Sequence, residues 1–208
     1  MSLNAKLRLL DSKDQIEKKI LAASEAELKQ LFQKAKVKIH AEVINLTVEA
    51  LSVCPEILSL KDGKLKYDFG LDFDPTNEVI YAIANSVKVY FKYFKFTKKG
   101  ASSVLSVYIQ PQDFQNLFSL ASAMVKTDKG SEIPWLKWLL TAGDAILLVD
   151  YHVQYGLYET SRSGGAIMAG GGVFKVDSQF SGNEENNFIT RALEKRQKDI
   201  LKIIEKSI

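Results

Sequence analysis

DYHVQYG (150–156), SRSGGAIMAGGG (161–172) and NNFITRALEKRQKDILKIIEKSI (186–208) follow one another at the end of this chain and decide its fold. The first reads as the end of a strand, the second as a glycine-rich crossing, and the third as an amphipathic helix. That order closes a sheet and lays a helix across it. Ser181-Gly-Asn-Glu184 has capping-box spacing, in which a hydroxyl and a carboxylate satisfy the first orphan amides of the helix reciprocally. The stripe Phe188, Ala192, Ile200, Ile203 and Ile204 gives the helix one apolar side. Phe188, Ala192 and Leu193 are its expected anchor on the fold.

Upstream, residues 12–53 contain no proline or glycine, and Ile16, Ile20, Leu28, Leu31, Phe32, Ala35, Ile39, Val43 and Leu46 recur at helical spacing. Ser12 with Gln15 makes a capping box, and Pro55 stops the pattern. About 40 residues at ~1.5 Å each reach about 60 Å, longer than a compact domain of this size is wide. The segment is therefore expected to bend, to split or to project onto a neighbouring subunit.

After the turn signal Asp62-Gly63, residues 64–73 read as a short strand with Leu65, Tyr67, Phe69 and Leu71 on one face. Asp74-Pro75 starts a helix carrying Val79, Ile80, Ile83 and Val87. Strands over 87–97 and 102–110 flank a hairpin connection at 98–101. Asp113 caps a predicted helix over 114–126, and Pro134 opens a short one containing Trp135 and Trp138. AILLVDYHVQY (145–155) is the most apolar strand candidate and is predicted to lie centrally in the sheet. The glycines at 164, 165, 170, 171 and 172 predict a hairpin with loose turns or a partly mobile loop. The whole is expected to be α+β: a mostly antiparallel sheet packed by a long N-terminal helix and a C-terminal helix, in one domain over 1–208.

At 208 residues and 46% hydrophobic composition the chain can bury a sizeable core. No apolar run approaches the ~20 residues of a membrane span, and the N-terminus lacks the features of a secretory leader. These readings point to a cytoplasm, or a particle assembled in one, with no membrane contact. Cys54 is the single cysteine, which excludes an internal disulfide and a cysteine zinc cluster. A net charge of +3 is far from the strongly basic balance of a protein living on nucleic acid.

Two stretches resemble the tail-completion and neck proteins of long-tailed bacteriophages. In that family a strand reading Y-A-x-x-V-E-F-G leads to P-F-L-x-P-A-L-E on a terminal helix; here the matching stretches are YHVQYG (151–156) and NFITRALE (187–194). The family also has T-G-x-L between its long N-terminal helix and its first strand, where this chain has DGKLKYDF (62–69). Between the matches the chain departs from the short family pattern by an insertion at about 74–143, made of a hairpin and helices. The resemblance implies a non-enzymatic virion protein without cofactor or metal. It implies a homo-oligomeric ring, a hexamer, that joins the head-side connector or adaptor to the tail tube or tail terminator, with transient contact with passing DNA. Such a protein resides at the virion neck and assembles in the host cytoplasm. Arg162, Ser163, Gly164, Gly165, Ile167 and Met168 in the glycine-rich segment are then the expected interface. Trp135 and Trp138 join them, since a short helix apolar nearly all round is either deeply buried or a subunit contact.

Other chemistries are weighed on the same residues. Asp150 and His152 fall on one face of a strand and have the types of an orienting carboxylate and a base, but no nucleophile elbow accompanies them. His40 and His152 are the two histidines, too few for a histidine-rich metal site. Asp68, Asp72 and Asp74 miss calcium-loop spacing. The run 163–172 is not followed by the Gly-Lys-Ser/Thr of a phosphate loop. Lys88, Lys92, Lys95, Lys98 and Lys99 interleave with Tyr90, Phe91, Tyr93, Phe94 and Phe96, a pattern suited to single-stranded nucleic acid. The plainer reading, lysines on the wet face or edge of an alternating strand, outweighs it. A single-strand nucleic-acid binding module is the runner-up function.

Overall fold

Without proline or glycine to interrupt it, the N-terminal stretch forms a single helix. The computed structural model describes residues 11–97, 100–111, 113–127 and 130–207, and in it α1 runs unbroken over Lys13–Ser52. Its capping box is the expected one: Gln15 N donates to Ser12 Oγ at 3.3 Å and Ser12 N to Gln15 Oε1 at 2.8 Å. The buried residues of α1 are Ala35, Ile39, Val43, Thr47, Ala50 and Leu51, all in its second half. Residues 13–34, roughly 33 Å at ~1.5 Å per residue, contribute none, and Ile20 and Leu31 stand 62% and 58% exposed. Helix α2 (Pro55–Asp62) starts on Pro55 and turns away from α1 by 59°.

Residues 64–68 are helical, which corrects the strand expected there. Helix α3 (Lys64–Asp68) buries Leu65 in its first turn, with Phe69 one turn later; a segment this short satisfies both periods, so local bonding decides. Leu65 N donates to Ser59 Oγ at 2.9 Å. At the other end Gly70, at φ +63°, takes the left-handed position of a Schellman motif, with Gly70 N to Tyr67 O at 3.1 Å and Leu71 N to Lys66 O at 2.9 Å. Helix α4 (Thr76–Asn85) follows, its first amide held by Asp74 Oδ1 at 2.9 Å from Thr76 N.

The strands pair antiparallel, as expected, but in three two-stranded ribbons: β1 (Lys88–Thr97) with β2 (Gly100–Tyr108), β3 (Val125–Lys126) with β4 (Glu132–Ile133), and β5 (Leu148–Tyr155) with β6 (Ala166–Phe174). Strand β5 is therefore not central. Its partner carries Gly170, Gly171 and Gly172 in mid-strand, which offer no side chains from which to build a second buried face, and most of β5 is exposed. The predicted helix over 114–126 shrinks to α5 (Gln115–Phe118) and a short 3₁₀ turn at Ala121–Ala123. Trp135 Nε1 donates to Ser122 O at 2.7 Å, satisfying a carbonyl that sits just past the 3₁₀ turn's start and holding the chain in that shape. Helix α6 (Trp135–Thr141) forms where the tryptophans predict it.

The terminal helix is divided into α7 (Phe188–Glu194) and α8 (Gln197–Ser207). Its cap is Asn187 with Thr190, not Ser181 with Glu184. Gly182 explains the displacement: a Cβ there would lie 2.8 Å from Asn187 Cα, so the chain doubles back tightly before the helix begins. The main core joins Leu51, Ile57 and Leu60 to Phe69, Ile83, Trp135, Leu136, Leu139, Phe174, Phe188 and Ile189. A second cluster packs Ala35, Ile39 and Val43 of α1 against Val87 and Val89, with Ile200, Ile203 and Ile204 of α8 covering it. The division lets α7 serve one cluster and α8 the other, while α1 reaches both. Arg191 ties α7 to α2 through buried Glu56 (Nη2 to Oε1, 2.7 Å), and it also donates to the carbonyls of Phe180 and Ser181 and to Asn186 Oδ1. Among the described residues, no single helix is long and apolar enough to cross a bilayer.

Candidate functional site

The glycine-rich ribbon β5–β6 lies over α3 and is fixed to it at both ends. At the turn end, the Tyr155 hydroxyl donates to the Asp68 carboxylate. Gly165 allows this approach, because a Cβ there would stand 2.4 Å from the Tyr67 ring. Arg162 reaches inward, with Nε donating to Gly70 O at 2.7 Å and Nη1 to Lys126 O at 2.6 Å. At the other end, Lys64 pairs with Asp177, and Phe174 enters the core against Trp138 with ring centroids 6.3 Å apart.

Between these fixings the ribbon is irregular. Its register breaks between Val149 and Tyr151, where Asp150 sits at φ +64° opposite Gly171 and Gly172 at φ +85° and +83°. This bulge removes the simple alternation that would place Asp150 and His152 on one face. His152 Nδ1 instead lies 2.6 Å from Gly171 O, so a backbone carbonyl orients the imidazole. Beneath the irregular stretch is a cleft of about 360 Å³, lined among others by Lys64, Asp68, His152, Tyr155, Lys175 and Asp177.

Burial raises the Asp68 carboxyl above its ordinary range against the opposing hydrogen bond from Tyr155. Burial, and then Asp68 itself, raise the Tyr155 phenol, which therefore remains a hydrogen-bond donor across the neutral range. The Lys64 ammonium holds Asp177 below its usual value. In chemical terms the arrangement is a clasp, in which each acidic group already has its partner. Away from the cleft, burial pushes the Cys54 thiol up to about 11, which keeps it protonated and unreactive.

The structure separates the residues expected at an interface. Ser163, Gly165 and Ile167 are half-buried, Gly164 and Met168 are exposed, and Arg162 spends its guanidinium on the protein's own carbonyls. Trp135 is fully buried and bonded to Ser122 O, so it is a core residue and is not available to a partner; Trp138 is half-buried on the main core. Phe188 and Ala192 are buried and Leu193 packs partly against them, as an anchor should. Sequence reasoning missed the clasp, because Lys64 and Asp68 were placed on a strand, and it missed the exposure of Val149, Tyr151 and Val173 on the ribbon, which stand 66%, 46% and 49% exposed. The run of three glycines at 170–172, two of which lie opposite Asp150, was the available signal. In comparisons with known proteins, no family model, no curated protein and no solved structure matches this chain.

Proposed function

We infer that the chain is a non-enzymatic structural subunit that works by joining copies of itself into a ring, in the role its sequence resemblance implies: the neck of a long-tailed phage, between head-side connector and tail. The observation that carries this reading is the first half of α1. Helical stability in proteins comes mainly from packing an apolar face, yet residues 13–34 bury no residue, with Phe32 only half-buried against Phe91 at 5.1 Å between ring centroids, and they expose Ile20 and Leu31. A neighbouring copy supplies the missing cover. The exposed Val149, Tyr151 and Val173 on the β5–β6 ribbon form a second apolar surface of the kind that marks assembly sites.

Sedimentation and electron microscopy of the purified protein test the reading. The expected result is a closed ring, of six copies by the resemblance. A species that stays monomeric over a wide concentration range, or an open fibre, would remove it.

A further inference from the structure

We propose that the outer face of the β1–β2 ribbon binds single-stranded nucleic acid. Alternation along β1 turns Val89 and Phe91 to the second core cluster and leaves Lys88, Tyr90 and Lys92 outside. The register pairs Lys88 with Tyr108 and Tyr90 with Ser106, which puts Tyr108 on the same outer face. The Tyr90 and Tyr108 rings meet at 6.0 Å and 68°, and they are 39% and 54% exposed. Lys92 Nζ lies 5.7 Å from the Tyr90 centroid, and Lys36 Nζ, delivered from α1, lies 5.8 Å from it.

Charge is sorted in the same direction. Residues 79–112 contain five lysines and no aspartate or glutamate, whereas the whole chain carries +3, so the remainder is net −2. Three of the five, Lys88, Lys92 and Lys95, stand exposed on β1, so a modest total charge conceals a locally basic strand. Ammonium groups beside exposed rings match a ligand that alternates phosphate with a flat base. An acidic peptide would use the lysines and leave the rings idle, and a duplex keeps its bases stacked out of reach. The face stands apart from the ring reading: a protein that forms rings and ignores oligonucleotides refutes this proposal alone.

Fluorescence anisotropy with a labelled oligothymidylate is the test. Binding should weaken steeply between about 50 and 200 mM salt. Tyr90→Ala and Tyr108→Ala should each lower affinity about tenfold, with Tyr→Phe at either position retaining it. Polyglutamate and duplex DNA should compete poorly. No binding at low salt, undiminished binding by the folded Y90A/Y108A variant, or equal competition by polyglutamate or by duplex overturns the proposal. Should the alanine variants fail to fold, the exposed pair Lys88→Gln and Lys92→Gln reads the same face: affinity and salt slope must both fall, and their persistence is equally fatal.

Discussion

Single residues show where the sequence could be read and where it could not. Phe188 was legible, because it begins the apolar stripe of the terminal helix and so has few places to go except inward, and it is fully buried among core side chains. Phe188→Ala should destabilise by about 3–5 kcal/mol through the cavity it leaves; an unchanged urea midpoint would contradict its packing. Asp68 was illegible, since its environment depends on a partner 87 residues away in Tyr155. Because burial raises its pKa, the folded state holds that proton more tightly than the unfolded chain. Stability then falls as pH climbs from the ordinary aspartate value through the raised one. Asp68→Asn keeps an acceptor for Tyr155 and removes the ionisation, so its melting midpoint at pH 7 should lie above that of the native protein, with the gap closing near about pH 4. A variant that melts lower at both pH values would show that the charged carboxylate is the stabilising form.

At the scale of elements, legibility followed length. α1, the β1–β2 hairpin and α6 were visible because periodicity accumulates over many residues or because proline marks a start. α3 was not, since five residues fit a strand as well as a helix and the deciding Schellman glycine at position 70 is identified only by its conformation. The same limit hid the bulge at Asp150 and the division between α7 and α8, each of which turns on one or two residues. For α1 the physical reading yields a sharp expectation. Ile20→Asp with Leu31→Asp changes two exposed residues outside the core, so circular dichroism and the melting midpoint should stay near native while sedimentation shows loss of assembly. Intact rings from that variant would mean that the first half of α1 meets no neighbour.

For the molecule as a whole, the α+β class with one long helix at the start and helices at the end was readable from pattern, whereas the division of its interior was not. Two clusters share α1, and the smaller closes only when α8 arrives: Ile200, Ile203 and Ile204 cover Ala35, Ile39 and Val43, and Lys38 Nζ reaches Lys206 O at 3.2 Å across 168 positions of sequence. That topology has a consequence during synthesis. A ribosome adding about 5–20 residues per second exposes the stripe on α1 for roughly ten to thirty seconds before its cover emerges, with the β1–β2 hairpin shielding one side in the interval. The newborn chain is thus most open to unwanted association until α8 is made, and a truncation before Gln197 would make that transient state permanent.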